Sequence, residues 1–262
     1  MPPSPEDFQY EMNIVLSESV EPLLEESMSQ WRVFGCQRPR EPPYFYEDGL
    51  LLEMNLVAGV FECGSSCGKE CASNRVVAKG ICYPLEIFYT GKSKGWGVRC
   101  SADIPAGAFV CKYTGELRTD VEAEEMENDE YLFDLSNFIK MRKKYLKGTL
   151  DTGDEIVPLP FSDDELRKDD YHGRYLVIDG RCKGNVSRFI NHACGEKINL
   201  VGQPVLTPPF SNGLFYDIAF FAIRHIPAYE ELTYDYGYLK GDVNNRQLEC
   251  HCGARDCKKW LL

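Results

Sequence analysis

The stretch "NVSRFINHAC", residues 185–194, carries more hydrogen-bonding side chains than a packed strand needs. Arg188, Asn191, His192 and Cys194 all lie within it, interleaved with apolar residues. Buried polar groups of this kind require partners, and a metal motif normally brings its second ligand from nearby. The partners of this stretch must therefore come from other parts of the chain.

The C-terminal stretch "LECHCGARDCKKWLL", residues 248–262, supplies three closely spaced thiols. Cys250, Cys252 and Cys257 form a C-x-C-x4-C pattern. Zinc held by thiolates takes four tetrahedral ligands, so a fourth must come from a distant segment, and Cys194 is the obvious donor. The sequence therefore predicts a zinc site without an open position, which would dock the tail against the first stretch.

Two further segments contain aromatic residues in patterns that leave two interpretations open. In "KSKGWGVRC", Gly95 and Gly97 flank Trp96, which suits close approach of the backbone to a ligand but equally a turn at a strand edge. In "ELTYDYGY", Tyr234 and Tyr236 alternate, with a third tyrosine two positions on. In a strand these rings would share one face, either as a wall bearing hydroxyl groups or as ordinary packing.

Composition limits the class of protein. The 262-residue chain has 44% hydrophobic residues, enough for one substantial core. It lacks an apolar run of membrane-spanning length and a secretory leader pattern, so we expect an intracellular protein whose 12 cysteines are mostly reduced. The net charge of −12 argues against direct DNA binding and suits a basic peptide partner, although solubility alone also explains it.

The secondary-structure signals change along the chain. Residues 4–34 are predicted to be helical from their capping and apolar spacing. From about residue 81, short β segments separated by Gly, Pro and Asp predict a mainly β fold with α insertions. The apolar segment 214–226 is its predicted central strand. Residues 137–172 are more polar and are interpreted as an insertion.

In chain order, "GWG", "YTGEL", "YLFDL", "RFINHAC", "ELTYDYG" and C-x-C-x4-C closely resemble the motifs of SET-domain protein-lysine methyltransferases. The nearest resemblance is to enzymes that modify lysine nine of histone H3, and it covers roughly residues 58–262. It implies small curved β-sheets around a pseudoknot, an exception to the usual avoidance of threading. The implied segments are a helical or irregular N-terminal region, a degenerate pre-SET region, a SET domain and a post-SET zinc motif: 1–57, 58–80, 81–238 and 239–262.

The resemblance also implies a binding site for S-adenosylmethionine (SAM). The residues similar to the family's cofactor contacts are Gly95, Trp96, Gly97, Tyr131, Arg188, Asn191 and His192. Cys194 would connect this site to the post-SET zinc. The opening stretch is polar, on this interpretation, because it forms part of a site.

Three tyrosines resemble residues that act on the substrate lysine. Tyr236 matches the family's catalytic tyrosine, whose hydroxyl orients the amine beside the methyl group. The amine must first become neutral, since lysine titrates near about 10.4 in water, and an aromatic channel beside a sulfonium favours that form. Tyr113 and Tyr234 resemble positions that limit the number of methyl groups, and their phenols favour mono- and dimethylation. Catalysis then needs positioning and electrostatics, so we assign no acid, base or covalent nucleophile.

Acidic residues supply the predicted substrate contacts. Asp120, Asp129 and Asp134 match positions that line the peptide groove, where they would pair with an arginine beside the target lysine. A solvated helix face is the alternative for Asp120 and Asp129.

The chain departs from the family upstream and in the insertion. Relatives carry nine pre-SET cysteines that hold three zinc ions, whereas this region retains only Cys36, Cys63, Cys67 and Cys71. These four thiols could hold one zinc ion, but we expect a degenerate pre-SET region that is stabilised by packing from the N-terminal helices instead. The basic run "KMRKKYLK", residues 140–147, is interpreted as a solvated loop, with DNA, partner or nuclear-import contacts as alternatives.

Taken together, these motifs predict a SAM-dependent lysine methyltransferase that acts on a histone H3 tail in the nucleus, at chromatin. A recruiting protein is expected, and no membrane partner. The alternatives are a methyltransferase for non-histone lysines and a catalytically weak chromatin-binding module.

Overall fold

The computed structural model describes residues 8–22, 45–52, 54, 59–64, 67–126, 130–146, 175–207, 215–238 and 248–261. Within these residues the protein is mainly β, which confirms the predicted fold class. None of the helices in this described part is long and apolar enough to cross a membrane.

Three four-stranded sheets dominate the described residues. The first sheet contains, from edge to edge, Val60–Phe61 (β5), Leu200–Leu206 (β14), Asp217–Ala222 (β15) and Phe109–Tyr113 (β8). The second contains Asn191–His192 (β13), Glu231–Tyr234 (β16), Gly95–Cys100 (β7) and Leu85–Gly91 (β6). The third contains Leu132–Asp134 (β10), Leu176–Asp179 (β11), Glu116–Thr119 (β9) and Val15–Leu16 (β2).

Smaller elements complete the described structure. Two strand pairs are formed by Gln9–Tyr10 (β1) with Lys183–Gly184 (β12), and by Tyr46–Glu47 (β3) with Leu50–Leu51 (β4). The α-helices are Asp120–Glu124 (α1) and Ser136–Leu146 (α2). Short 3-10 helices cover Lys69–Asn74, Val77–Lys79, Val186–Phe189 and Gly195–Lys197.

Strand β15 lies at the centre of the core, as its almost entirely apolar sequence predicts. It pairs on one side with β14 and on the other with β8. Phe220 and Phe221 are both fully buried, and they belong to different hydrophobic clusters. Successive side chains of a strand point to opposite faces, so this strand joins the two clusters, and each buried phenylalanine contributes about 1.5–3 kcal/mol.

The prediction of a helical N-terminal region is wrong for the described residues 8–20. They form β1, β2 and turns, and only residues 21 and 22 are helical, while the rest of the predicted helix lies outside the described residues. The reason is tertiary. Backbone groups of this segment pair with β12 and β9, and such pairing overrides a local helical preference.

Helix α1 begins directly after its cap, Thr119. Thr119 accepts a hydrogen bond from the backbone of Glu122, and the Glu122 side chain accepts one from the backbone of Thr119. This reciprocal capping satisfies two backbone donors at the helix start. It fixes the point at which β9 ends and the acidic segment begins.

Candidate active site

Parallel pairing of β13 with β16 brings the opening stretch beside the tyrosine motif. Asn191 lies opposite Thr233, and His192 lies opposite Tyr234. The backbone N–H of Ala193 continues the contact by donating to the carbonyl of Tyr234 at 3.0 Å. Because β16 also pairs with β7, the "GWG" segment lies in the same sheet. Three motifs far apart in sequence therefore converge.

The side-chain amide of Asn191 ties two of these strands together. It donates to the carbonyl oxygen of Trp96 at 3.0 Å and to Oε1 of Glu231 at 2.9 Å. The other carboxylate oxygen of Glu231 forms an ion pair with Lys94. Asn191 thus fixes the predicted cofactor loop against β16.

Gly97 permits this close approach. A Cβ atom at Gly97 would lie 2.6 Å from Cγ2 of Thr90 and 3.1 Å from Nδ2 of Asn191. Gly95 has a φ of +72°, which disfavours any side chain there. The glycines of "GWG" are therefore required by the protein's own packing, whatever the loop binds.

A cleft of about 660 Å³ opens between these strands and the C-terminal tail. That volume falls within the range of small-molecule sites, roughly 300–1,000 Å³. Its walls combine cationic, anionic and backbone groups from the "GWG" loop, the opening stretch, β16 and the tail. They are Lys94, His192, Ala193, Glu196, Lys197, Arg224, Glu230, Glu231, Thr233, Cys252, Gly253 and Arg255.

His192 connects the tyrosine motif to the thiol cluster. Its Nδ1 accepts a hydrogen bond from the backbone N–H of Tyr236 at 3.2 Å, and its Nε2 lies 3.2 Å from Sγ of Cys194. Burial lowers the pKa of His192 despite the nearby carboxylate of Asp235. The neutral ring therefore carries its proton on Nε2, directed at the sulfur. Its imidazole is committed to these structural contacts, which leaves its backbone for any ligand contact.

The four predicted zinc ligands lie together. The Sγ atoms of Cys194, Cys250, Cys252 and Cys257 are all within 4.8 Å of one another, and Cys194 is buried. The sulfurs of Cys194 and Cys250 are 3.9 Å apart. Tetrahedral zinc with Zn–S bonds of about 2.3 Å requires sulfur–sulfur distances of about 3.8 Å. The residues therefore fit a structural zinc ion, as predicted.

Polar contacts beside the thiols hold the tail in place. Lys258 forms an ion pair with Asp235 at 2.9 Å, next to the tyrosine motif. The backbone N–H of Arg255 donates to the carboxylate of Glu196 at 3.0 Å. The tail is thus attached just after the opening stretch and just after β16, and it closes one side of the cleft.

Arg188 is buried and supports Tyr131. Its guanidinium lies 4.1 Å from the ring centroid of Tyr131 and donates to the carbonyl of Gly180 at 2.8 Å. The carbonyl of Tyr131 accepts a hydrogen bond from the phenol of Tyr113 at 2.7 Å. These contacts place Arg188 in a supporting role and connect a predicted cofactor residue directly to a predicted channel residue.

The predicted tyrosines form a continuous aromatic wall. The rings of Tyr234 and Tyr236 have centroids 4.8 Å apart, and Tyr238 lies 6.4 Å beyond Tyr236. The hydroxyl of Tyr236 donates to the carbonyl of Ile190 at 2.8 Å. The alternating pattern therefore forms a contiguous row of rings bearing hydroxyl groups, and its role as the wall of a site stays a prediction.

Two phenylalanines that the sequence analysis missed complete this wall. Phe133 lies between Tyr113, at 5.2 Å, and Tyr234, at 6.4 Å between centroids. Phe220 packs against Tyr234 at 4.6 Å. The sequence "YLFDL" could have indicated Phe133, because it lies two positions after Tyr131 and alternate positions of an extended segment point to the same side. Phe220 carried no signal, since its strand is apolar throughout.

The phenols of this wall remain protonated. Burial raises the pKa of Tyr113, Tyr234 and Tyr236 above the ordinary value for tyrosine. At neutral pH these groups can donate or accept hydrogen bonds but cannot serve as phenolate bases. The site is therefore suited to binding and orienting an amine in a water-poor aromatic environment.

The predicted acidic contacts lie at helix ends. Asp134 accepts hydrogen bonds from the backbone and the hydroxyl of Ser136, both at 2.6 Å, and lies 4.0 Å from Lys140. Asp120 accepts from the backbone N–H of the next residue. Asp129 lies outside the described residues. Asp134 is thus engaged at the start of α2 and Asp120 within the first turn of α1, and the contact of these carboxylates with a peptide stays a prediction.

The upstream thiols approach one another as well. The Sγ atoms of Cys63, Cys67 and Cys71 lie within 4.8 Å of one another, and the side chain of Asn74 donates to Sγ of Cys63 at 3.3 Å. Cys36 lies outside the described residues, and within them no fourth ligand joins this group. Three thiols cannot form the nine-cysteine cluster of the family, and the degenerate character of the region stays a prediction.

The interpretation of the basic run as a loop is wrong for residues 140–146, which belong to α2. The helix forms because Phe138 and Ile139 are buried in the core and Asp134 caps its start. Lys140 and Lys144 are exposed on its surface, while Lys147 lies outside the described residues. The contacts of this run with a partner stay a prediction.

Comparison with known proteins agrees with this geometry. Residues 95–237 match the family model described as SET domain, and this match lies inside the predicted SET segment. The chain is 38% identical over 241 residues to the H3 lysine-9 specific histone-lysine N-methyltransferase SUVH6 of Arabidopsis thaliana, covering 88% of this chain and 28% of that protein. It is 39% identical over 220 residues to human histone-lysine N-methyltransferase EHMT1, covering 82% of this chain and 14% of that protein.

Solved structures give the same result. The crystal structure of SUVH6 in complex with SAM superposes with a TM-score of 0.69 at 33% identity, covering 98% of this chain and 51% of that one. KRYPTONITE in complex with mCHH DNA, an H3(1–15) peptide and SAH gives a TM-score of 0.63 at 26% identity, covering 98% and 48%. The chain thus spans 14–28% of the length of the two curated relatives named above. The match of residues 95–237 to the SET-domain model and the 38% identity to SUVH6 show that the chain belongs to the SET-domain family.

Proposed function

We propose that this protein is a SAM-dependent lysine N-methyltransferase that acts on the histone H3 tail, at lysine nine, with mono- and dimethylation as products. The observation that carries the proposal is the aromatic wall of neutral, buried phenols, in which the ring of Tyr236 lies 5.3 Å from that of His192, a residue that lines the cleft. Support also comes from the relatives, since SUVH6 is described as specific for H3 lysine 9 and KRYPTONITE was solved with an H3 peptide.

The cleft suits SAM. Its volume is adequate, and it lies between the "GWG" loop, the backbone of His192 and the post-SET tail. The charged walls offer Lys94 and Glu231 near the segment that the resemblance assigns to the cofactor. SAM supplies, when bound, an electrophilic methyl group on a sulfonium. The zinc-bound tail would close the cleft and exclude water from it.

The protein's own contribution is to neutralise and orient the lysine amine. The clustered rings of Tyr113, Phe133 and Tyr234 would exclude water around the amine, and desolvation disfavours the ammonium form. Tyr236 presents a protonated phenol near the end of this wall, held by the carbonyl of Ile190. The amine loses its proton to solvent before entry, so no side chain needs to act as a base. The rate acceleration would come from alignment and from a dry, preorganised site.

The partner follows from the same proposal. Asp120, Asp129 and Asp134 would meet arginine and lysine side chains of the tail, which suits the net charge of −12. A protein with this substrate works in the nucleus at chromatin, and a separate recruiting protein would bring it there.

Mass spectrometry of an H3 tail peptide, after incubation with purified protein and SAM, tests the proposal. We expect methyl groups on lysine nine, none on a peptide with arginine at that position, and a large loss of product with Tyr236→Phe. Unmodified peptide from folded, zinc-loaded protein that still binds SAM would overturn the H3 assignment in favour of another lysine substrate. Protein that is folded but does not bind SAM would support the binding-module alternative instead.

A further inference from the structure

The N-terminal residues 8–20, here called the N-terminal strap, lie against the segments that build the site. The backbone N–H groups of Gln9 and Glu11 donate to the carbonyls of Cys182 and Gly184, both at 2.7 Å. Further along, Val15 and Ser17 donate to carbonyls at the start of β9. The strap therefore adds edge strands to two sheets, although it lies outside the matched SET region.

Side chains anchor the strap at its far end and in its middle. Val20 is fully buried in the main hydrophobic cluster. The hydroxyl of Ser19 donates to the carboxylate of Glu122, the residue that caps α1, at 2.6 Å. The hydroxyl of Thr114, which directly follows Tyr113 in the sequence, donates to the carbonyl of Glu11 at 2.8 Å. The strap is thus fixed relative to the aromatic wall.

The first described residue of the strap contacts the support of the cofactor site. The ring centroid of Phe8 lies 4.7 Å from the guanidinium carbon of Arg188. The rings of Tyr131 and Phe189 contact the same guanidinium, at 4.1 and 4.7 Å. Arg188 is only 7% exposed and donates to two backbone carbonyls, of Gly180 and its neighbour. Phe8 helps to enclose this buried cation.

The residues that enclose the guanidinium also hold Tyr131, which we propose to contact the cofactor. Gly180 donates its N–H to the carbonyl of Tyr131 at 3.0 Å, and accepts from Arg188 through its own carbonyl. Tyr131 is therefore held at its ring by Arg188 and at its backbone by Gly180 and Tyr113. A change in the position of the guanidinium would move the Tyr131 ring while leaving the hydrogen bond from Tyr113 in place.

We infer that Phe8 is a positioning residue for the SAM site. Its ring holds Arg188, and Arg188 fixes the ring of Tyr131 in the orientation that binds the cofactor. The inference rests on the proposed function, in which Tyr131 contacts SAM. A cation–π contact of ordinary strength corresponds to about 3- to 30-fold in an equilibrium constant. The effect should therefore appear in the affinity for SAM and not in the chemical step at saturating SAM.

Calorimetric titration of the 262-residue chain with SAM tests this, using Phe8→Leu and the ring-preserving Phe8→Tyr. We expect Phe8→Leu to raise the dissociation constant for SAM about 3- to 30-fold, and Phe8→Tyr to remain within about twofold of the parent. In methylation assays, Phe8→Leu should raise the KM for SAM by a similar factor and leave kcat unchanged. Tyr10→Ala is the matched control, because Tyr10 lies on the same strap but is 55% exposed.

The outcomes separate positioning from simple stabilisation. If the Phe8 ring only stabilised the fold, both Phe8 variants would have a lower melting temperature and a smaller active fraction. Their affinity for SAM would then not depend on whether the aromatic ring is kept. Parent-like SAM binding by Phe8→Leu, or equal weakening by Phe8→Leu and Phe8→Tyr, would overturn the inference while the proposed function stands. A folded parent protein that does not bind SAM would overturn the proposed function, and the inference with it.

Discussion

The phenol of Tyr236 donates a hydrogen bond to the backbone carbonyl oxygen of Ile190, 2.8 Å away. Ile190 directly precedes Asn191, so this bond joins the tyrosine motif to the opening stretch at the side chain as well as along the paired backbones. The hydroxyl that we propose to orient the lysine amine is therefore preorganised by the segment that we propose to bind the cofactor.

Replacement of Tyr236 by phenylalanine should separate catalysis from binding. We expect kcat to fall about 10²- to 10³-fold, the usual effect of losing a preorganised polar group at a reacting centre. SAM affinity should change less than about twofold, and stability should fall by about 1 kcal/mol for the lost hydrogen bond. Steady-state kinetics measures kcat, and titration with SAM measures the affinity.

Tyr89→Phe is the matched control for Tyr236→Phe, since Tyr89 is 41% exposed on β6 and lies outside the channel. It should behave as the parent protein in every assay. Near-normal turnover by Tyr236→Phe would show that its hydroxyl has no part in the reaction.

The pH dependence should follow the substrate and not an enzyme phenol. Burial raises the pKa of Tyr236 above the ordinary tyrosine value of about 10, so the phenol stays protonated throughout the range from pH 7 to 9. The neutral fraction of a lysine with a pKa of about 10.4 rises about tenfold per pH unit between pH 7 and 9. We expect kcat/KM for the peptide to rise with that slope in the parent protein.

The same slope should remain in Tyr236→Phe, at a lower absolute rate. If Tyr236 acted as a base with a lowered pKa, the parent profile would level off within this pH range and the variant would lose that feature. Rates measured across pH 7–9 with both proteins distinguish the two profiles.

The number of methyl groups should depend on Tyr234. Its ring is fixed between Phe220 and Tyr236, so its hydroxyl occupies a defined place in the wall. Removal of that hydroxyl in Tyr234→Phe leaves the ring in place and makes room for a larger amine. We expect the parent to stop at dimethyllysine and the variant to accumulate the trimethyl product, as counted by mass spectrometry. Identical product distributions would show that Tyr234 does not limit methylation.

The sequence was most informative where chemistry restricts residue type. Four thiols at C-x-C-x4-C and Cys194 predicted a cluster that the structure brings together, because few other roles need cysteines at that spacing. The glycines of "GWG" could also be recognised as important from the sequence, but the reason that glycine is required there could not. Only the structure shows that Gly97 makes room for the side chain of Asn191.

Non-local packing limited the sequence analysis elsewhere. Phe220 lies in a strand that is apolar at nearly every position, so its contact with Tyr234 could not be distinguished from core packing on the sequence alone. The helix prediction for the strap rests on local capping and apolar spacing. It fails because the pairing partners that hold the strap extended, at β9 and β12, lie more than a hundred residues away. Local propensity carries no information about such partners.

Zinc content should distinguish the two thiol groups. Cys257→Ser removes one of four ligands from the post-SET cluster, whereas Cys63→Ser alters the upstream group of three thiols. We expect the parent protein to contain one zinc ion per chain, Cys257→Ser to lose it, and Cys63→Ser to retain it. Cys182→Ser is the matched control, since Cys182 is exposed and belongs to neither cluster.

The loss of zinc should also weaken SAM binding, because Cys252 and Gly253 line the cleft and the tail is held there by the metal. We expect Cys257→Ser to raise the dissociation constant for SAM by at least about tenfold, the usual minimum effect of disturbing a metal site's surroundings. Elemental analysis and SAM titration on the same preparations measure both quantities. Two zinc ions in the parent, with one lost in Cys63→Ser, would instead mean that the upstream thiols recruit a fourth ligand and that this region is not stabilised by packing alone.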